Sequence, residues 1–205
     1  MPVFDSDPIN LIITGVGGQG NVLISWLIGE TLLENDYHVT IGETYGVSQR
    51  GGPVASHIRI SKNKQYGAIT PDGRVNIILG LEPMESLRIL ASYGNRNTYV
   101  ITNSRPVHPM AVAMGETTYP ELGKIIYAIE ALVKKSWYLD ASQKAIELGA
   151  PLIANMVMVG ALIGTDLLPL GYNDFERRLE ANFEGDRLNL NLKALKSGYS
   201  EIKID

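Results

Sequence analysis

The sequence predicts an α/β fold: a doubly wound, mostly parallel, Rossmann-like sheet with helices on both faces and further helices at its C-terminal end. Apolar runs of strand length alternate with segments of helical periodicity over short connections. A glycine-rich stretch, GVGGQG at 15–20, joins the first such run to the first such segment. The chain has 205 residues, enough to bury a sizeable core, so we expect a single domain over residues 1–205.

The first half of the chain supplies strands and two helices. The first helix is expected over 21–35, and Pro83 opens a short second helix at the position where helices tolerate proline. On the first helix, one face is formed by Val22, Trp26, Gly29 and Leu33. The strands are apolar or alternating runs at 9–14, 37–42, 54–60, 75–79 and 98–102.

The second half is richer in helices. Its proline-containing stretch 103–120 is expected to be a loop, followed by an amphipathic helix over 125–133. Residues 151–164 are apolar nearly all round but too short to span a bilayer, which indicates a buried or partner-facing helix. Asn173 is expected to cap a helix that runs through Phe183, with Glu176 at the reciprocal position. The remaining elements are a strand at 137–139 and helices at 141–148 and 188–199.

Composition argues against several classes of protein. The chain carries 18 basic and 22 acidic residues, a formal net charge of −4, without a basic stripe, so we expect no nucleic-acid binding. It contains no apolar run of membrane-spanning length, and its polar start MPVFDSDP does not resemble a signal peptide. We therefore expect a cytoplasmic protein that does not enter a membrane.

Cysteine is absent from the sequence. The chain therefore supplies no thiolate ligand for a conventional iron–sulfur cluster, and no disulfide or thiolate nucleophile. The three histidines, His38, His57 and His108, are scattered without metal-ligand spacing, so no metal site is expected.

The stretch GVGGQG has the Gly15-x-Gly17-x-x-Gly20 pattern of a dinucleotide-binding loop. Glycines between a strand and a helix allow close approach of the backbone and leave helix N-terminal amides free for a phosphate. Glu43 stands where a ribose-binding acid is expected. The pattern alone leaves three interpretations open: a resident dinucleotide, another phosphate ligand, or tight strand–helix packing.

A second polar, glycine-rich loop lies within 43–53. Because it follows a strand, as the first loop does, we expect both loops at the carboxyl edge of the sheet, where open α/β sheets bind ligands. The groups expected to converge there are Ser48, Gln49, Arg50 and the amides of Gly51 and Gly52. The alternative for Arg50 is an ordinary solvated loop cation.

Several short motifs occur together along nearly the whole chain. They are GVGGQG at 15–20, ETYGVSQRGGPVASHIRI at 43–60, GLEP at 80–83, NSRP at 103–106, YP at 119–120, DA at 140–141, NMVMVG at 155–160 and NLKALKSGY at 191–199. In this combination the sequence resembles the gamma-type component of 2-oxoacid:ferredoxin oxidoreductases. The segment TNSRPVHP at 102–109 is most similar to the small (beta) subunits of the indolepyruvate branch. A gamma subunit of a pyruvate, 2-oxoisovalerate or 2-oxoglutarate enzyme is the alternative within the family.

This resemblance implies a subunit of a complex that oxidatively decarboxylates arylpyruvates with coenzyme A, giving an acyl-CoA, CO2 and reduced ferredoxin. Thiamine diphosphate and the [4Fe-4S] clusters are then expected in the large (alpha) partner, which agrees with the absence of cysteine here. No thiamine-binding motif is evident, since Pro71-Asp72-Gly73 is typical of a turn. The chain alone is expected to bind no cofactor, to be inactive, and to meet ferredoxin only indirectly.

The resemblance also suggests site residues, although no catalytic residue is assigned to this chain. The amides of Gly17, Gly18 and Gly20 are candidate donors to a CoA phosphate, with the side chains of Gln19 and Arg50. Alternatively, the 43–53 loop docks on the large subunit. Asn155, Met156 and Met158 are candidates for that interface or for the core, and Glu43 is a further interface candidate.

One further possibility concerns the assembly of the chain, and two concern its function. The apolar 151–164 segment predicts a homodimer when the partner is absent. An NAD(P)-dependent Rossmann oxidoreductase and a non-enzymatic nucleotide-binding module are the rival functional classes.

Overall fold

One sheet organises the part of the chain that the computed structural model describes, namely residues 4, 6–45, 52–108, 112 and 114–203. Its strand order is β2-β3-β1-β4-β5-β6. The strands are Ile9–Val16 (β1), His38–Tyr45 (β2), Pro53–Ser61 (β3), Ile77–Gly80 (β4), Tyr99–Asn103 (β5) and Lys135–Leu139 (β6). The helices are Asn21–Glu34 (α1), Pro83–Tyr93 (α2), Leu122–Glu130 (α3), Ala141–Glu147 (α4), Ala154–Gly164 (α5), Tyr172–Asn182 (α6) and Gly185–Lys203 (α7), with a 3-10 turn at Pro151–Ile153.

The sheet is mostly parallel, which confirms the predicted fold class. Strands β1, β4, β5 and β6 pair in parallel. Strand β3 runs antiparallel to both β1 and β2, so β2 points in the same direction as β1. The carboxyl ends of β1 and β2 therefore lie at one edge of the sheet, where β3 begins.

Helices cover both faces of the sheet. Leu11 and Ile13 of β1 belong to a core cluster that also includes Ile28 of α1 and residues of α5, α6 and α7. Ile12 points to the other face, where its cluster includes Ile129 of α3. Successive residues of β1 are thus buried on opposite faces, as expected for a central strand of a doubly wound sheet. This explains the continuous apolar run in the sequence.

Helix α5 is buried by the chain's own C-terminal helix. A Cβ atom added at Gly160 would overlap the carbonyl oxygen of Leu195, and one added at Gly198 would overlap that of Val157. The two helix backbones therefore approach as closely as glycine allows. The buried-helix prediction for 151–164 is confirmed over Ala154–Gly164. Its use for homodimerisation is not supported, because α7 already covers this apolar surface.

The predicted first helix is confirmed, but the face identified from the sequence is not the buried one. Val22, Trp26 and Leu33 expose 51%, 42% and 54% of their surface, and only Gly29 of that face is buried. The core is instead filled by Ile24, Leu27, Ile28 and Leu32. Apolar residues occur all round this helix, so their spacing could not select the side that packs on the sheet.

The remaining differences concern where elements begin and end. Strand β2 extends to Tyr45, beyond the expected end at residue 42, and α3 ends at Glu130 instead of 133. The capping prediction for α6 was wrong: the N-cap is Gly171, whose N–H donates to Asp174 Oδ2 at 2.8 Å. Asn173 and Glu176 lie inside that helix. In the described ranges, no helix combines the length and apolar character needed to cross a membrane.

Candidate functional site

The two glycine-rich loops meet at the carboxyl edge of the sheet. The first loop leaves β1 at Val16, and Val16 pairs with Pro53, the first residue of β3. The Gly17 N–H donates to the Gly52 carbonyl at 2.9 Å. The expected convergence is present at the Gly52 carbonyl, and because this carbonyl engages the Gly17 N–H, that amide is not available to a CoA phosphate as the sequence analysis expected. Ser48, Gln49, Arg50 and Gly51 lie outside the described residues.

The glycines of the first loop have distinct structural roles. Gly18 and Gly20 have φ angles of 105° and 87°, in the left-handed region that favours glycine. Gly18 is exposed, whereas a Cβ at Gly20 would overlap the Asn155 side-chain amide. Gly15 is a strand residue with no room for a side chain, because a Cβ there would lie 3.0 Å from Leu81 Cβ and 2.5 Å from Gln19 Oε1. Tight packing thus explains Gly15 and Gly20, and the exposed loop face is formed by Gly18.

Gln19 braces the loop from inside. Its Oε1 accepts a hydrogen bond from the Val16 N–H at 2.7 Å, and its Nε2 donates to the Leu81 carbonyl at 3.0 Å. Leu81 in turn donates its N–H to the Thr14 carbonyl at 2.7 Å. Both polar ends of the Gln19 amide are engaged within the chain. These bonds fix the side chain beside the cleft that it lines, and the second hydrogen of Nε2 keeps Gln19 a candidate donor to an anion.

The amino end of α1 opens at this loop. Gly20 is the N-cap, and no side chain of the described residues caps this end. The first turn of the helix contains no acidic residue. Free amides at a helix N-terminus carry partial positive charge and accept an anion readily. The backbone amides of Gly18 and Gly20 are therefore candidate donors to a ligand at this end of α1.

A cleft of about 160 Å³ lies beside the loop. Asn155, 8% exposed, lines it together with Gly18. Leu152, 87% exposed, stands at its rim. The volume is below the roughly 300–1,000 Å³ typical of small-molecule sites, so the cleft does not enclose a whole dinucleotide.

The methionines expected at an interface belong to the core. Met156 is 1% exposed, and Met158 is fully buried although it also lines the cleft. Both belong to the core cluster that also contains residues of β1 and α7, so they present no surface to a partner. The core alternative is therefore the correct one for these two residues.

Glu43 is not placed to contact a ribose at the glycine loop. It lies on β2 opposite Ser56 of β3, and β3 separates β2 from β1. Two interstrand spacings amount to roughly 10 Å. The dinucleotide interpretation required the second strand to lie beside the first, and the intervening β3 removes that arrangement.

Asn103 is a structural centre of this edge that the sequence analysis did not single out. Its Oδ1 accepts from the Ala141 N–H at 3.1 Å, and its Nδ2 donates to Ser142 Oγ at 3.0 Å and to the Leu81 carbonyl at 3.3 Å. These hydrogen bonds connect the end of β5 to the start of α4 and to Leu81, whose carbonyl also accepts from Gln19. In the sequence, the one indication of this role is the position of Asn103 directly after the strand predicted at 98–102.

Glu82 is a second residue at this edge that the sequence analysis did not identify as a site candidate. This carboxylate is 1% exposed and caps α2 by accepting from the Glu85 N–H at 2.8 Å. It also accepts from the Val107 N–H at 3.3 Å and from the Tyr119 hydroxyl. Burial, followed by the hydrogen bond to Glu82, raises the pKa of Tyr119. Glu82 therefore anchors both ends of the 104–121 excursion to the carboxyl edge of the sheet.

Comparison with known proteins identifies the family. The family model described as pyruvate ferredoxin/flavodoxin oxidoreductase matches residues 10–201. The chain belongs to this family. The family resemblance expected from the glycine loops and the later motifs is thereby confirmed.

Members of this oxidoreductase family resemble the chain over nearly its full length. The indolepyruvate oxidoreductase subunit IorB of Archaeoglobus fulgidus is 36% identical, with 94% of each chain covered. The subunit of the same name from Pyrococcus horikoshii is also 36% identical, covering 95% of this chain and 96% of the relative. A solved 2-oxoglutarate:ferredoxin oxidoreductase from Magnetococcus marinus, with 2-oxoglutarate, coenzyme A and succinyl-CoA bound, matches with a TM-score of 0.73 at 18% identity. That match covers 98% of this chain and 32% of the longer one.

Proposed function

We propose that this chain is the small subunit of an indolepyruvate-type oxidoreductase complex that converts arylpyruvates to acyl-CoA. The observation that carries the proposal is the 36% identity to the IorB subunit of Archaeoglobus fulgidus over 94% of both chains. In the net reaction the bond between the oxo carbon and the carboxylate breaks and CO2 leaves. A thioester bond to the CoA sulfur forms, the thiol loses its proton, and an electron pair passes to ferredoxin.

The redox chemistry is assigned to a large partner subunit. Thiamine diphosphate would supply the carbanion-stabilising chemistry there, and iron–sulfur clusters would carry the electrons. This chain contains no cysteine with which to hold a conventional cluster. Its own contribution is to bind and orient the groups that reach the partner's active site.

CoA is the ligand proposed for the glycine loop. The support is the uncapped amino end of α1 together with the exposed, left-handed Gly18, which leaves amides available to a phosphate. The small cleft beside the loop favours a contact with one part of a ligand over enclosure of all of it. CoA shared between two subunits requires only such a contact.

The same edge is proposed to dock on the large partner. Leu152 is 87% exposed at the rim of the cleft, and Leu23 and Trp26 of the first turns of α1 are 41% and 42% exposed. Exposed apolar groups gathered in one region mark protein interfaces. Docking here would bring the glycine loop close to the partner's active site, as acyl transfer to CoA requires.

Copurification from the native organism tests this function. A tagged copy of the chain should retain a brown, thiamine-containing partner, and the assembled complex should reduce viologen with indolepyruvate and CoA. The chain purified alone should be colourless and inactive in the same assay. Turnover by the isolated chain would contradict the subunit assignment, and so would retention of NAD(P) without any partner.

A further inference from the structure

A large polar groove lies at the amino-terminal edge of the sheet, opposite the glycine loop. Its volume is about 900 Å³. Four cationic side chains from successive parts of the chain line it: Arg59 on β3, Arg74 before β4, Arg96 before β5 and Lys134 before β6. Since Arg59 pairs with Asn10 near the start of β1, this groove is roughly 20 Å along the strand from Gly17. It is therefore separate from the carboxyl-edge cleft.

Neutral groups hold several of these cations in position. The Arg59 guanidinium donates to Asn10 Oδ1 at 3.0 Å and to the carbonyls of Gly67 and Ile69 at 3.1 and 3.3 Å. Arg96 donates to the Ala131 carbonyl. The Lys134 ammonium lies 5.2 Å from the centre of the Tyr99 ring. Carbonyls, amides and rings fix a cation without cancelling its charge.

Few carboxylates line the groove itself, although the exposed Asp72 adjoins it between the lining residues Pro71 and Gly73. Among the described residues, none of the four cations has a carboxylate oxygen within ion-pair distance. Asp7 is the described acidic residue in the lining, and its Oδ2 already accepts from Asn63 Nδ2 at 2.9 Å and from the Tyr66 hydroxyl at 3.3 Å. A local excess of positive charge in a chain of net charge −4 creates a field that attracts anions.

We propose that this groove binds a small organic polyphosphate. Guanidinium groups match phosphate geometry with paired N–H donors, and four cations provide charge for more than one phosphate group. The volume falls within the roughly 300–1,000 Å³ range of small-molecule sites. Nucleoside polyphosphates and CoA share this chemistry. The proposal does not depend on the function of the glycine loop, because the two sites lie at opposite edges of the sheet.

Calorimetric titration of the full chain with inorganic tripolyphosphate tests the groove. The double variant Arg74→Gln/Lys134→Gln removes two exposed cations from the lining of the groove. The matched double variant Lys124→Gln/Lys196→Gln removes the same charge from exposed positions on α3 and α7. We expect saturable binding to one site, weakened at least about tenfold in the groove variant and by less than about twofold in the matched variant.

Parallel titrations with ATP and with CoA identify the ligand's source. Weakened binding of ATP in the groove variant indicates a nucleotide site, and weakened binding of CoA indicates a second CoA contact; either result supports the proposal. Absence of saturable tripolyphosphate binding would overturn it. Equal weakening by the two double variants would also overturn it, because the attraction would then come from overall charge alone. Thermal melts of all variants show whether each is folded.

Discussion

Gly198 of α7 lies against the carbonyl oxygen of Val157 on α5, and the two backbones leave no space for a methyl group between them. Since the obstructing atom belongs to the backbone of a buried helix, it cannot move aside without shifting α5 against the sheet. We therefore expect Gly198→Ala to lower the free energy of unfolding by about 3 kcal/mol.

Gly123→Ala is the matched control for that substitution. Gly123 lies in α3, and a Cβ there meets no atom within 4 Å. Because alanine favours helix more than glycine does, this change should leave stability unaltered or raise it by about 0.5 kcal/mol. Urea denaturation of both variants checks the pair, and similar losses in the two would contradict the close crossing of α5 and α7.

Removing the Gln19 brace should loosen the glycine loop. In Gln19→Leu the Val16 N–H and the Leu81 carbonyl both lose their side-chain partner, and we expect stability to fall by about 2 kcal/mol. Amide hydrogen exchange at Val16 should accelerate as well. Gln19→Glu keeps an acceptor for Val16 but no donor for Leu81, so it should retain most of the protection at Val16. Unchanged exchange in Gln19→Leu would show that the brace does not order the loop.

Acid should destabilise the fold through His57. This side chain is fully buried, its Nδ1 accepts from the Thr70 N–H at 3.4 Å, and burial lowers its pKa from the ordinary value of 6.5. Between the lowered pKa and 6.5, the unfolded chain binds the proton and the folded chain does not. Stability contributed by neutral His57 is therefore complete above this value and declines as the pH falls towards the lowered pKa.

The comparison of two histidine variants isolates that effect. His57→Gln should make unfolding less dependent on pH between about 7 and 5, because glutamine does not titrate there. His38→Gln, on the exposed start of β2, should leave the wild-type dependence in place. Chemical denaturation across this range provides the measurement. If His57→Gln shows the same pH dependence as wild type, another group is responsible for it.

Gly18→Ala tests the proposed phosphate contact. A Cβ at Gly18 meets no atom, but the φ angle of 105° makes alanine strained, at a cost of about 1–2 kcal/mol. The methyl group would stand on the exposed loop face. In the reconstituted complex we expect about tenfold more CoA to be required, corresponding to a loss of about 1.4 kcal/mol.

Gly185→Ala supplies the control for backbone strain. Gly185 has a φ angle of 58° and open space around its Cβ position, but it begins α7, away from the loop. The Gly185→Ala variant should lose about as much stability as Gly18→Ala but leave the CoA requirement of the reconstituted complex unchanged. A CoA requirement that rises equally in both variants would assign the effect to general destabilisation.

The sequence was informative about local features and less so about distant ones. The order of strands and helices could be predicted from apolar runs such as 9–14. The left-handed backbone of Gly18 is compatible with the phosphate-binding loop that the glycine motif predicts. The placement of β3 between β1 and β2 is a non-local pairing that periodicity does not encode. The contact of Glu82 with Tyr119 joins residues 37 positions apart, so neither side chain indicated it alone.

The β2–β3 hairpin has a consequence for how chain length can vary in this fold. Its arms are in continuous register from His38 opposite Ser61 to Tyr45 opposite Val54, and the second arm starts beside the glycine loop. One residue inserted into either arm would reverse the two faces of that arm for the side chains on one side of the insertion. Two residues added to each arm would preserve the faces but lengthen the arms by roughly 7 Å. Insertions and deletions within the paired stretches 38–45 and 54–61 are therefore expected to be tolerated less well than those just beyond Ser61, where the chain leaves the sheet.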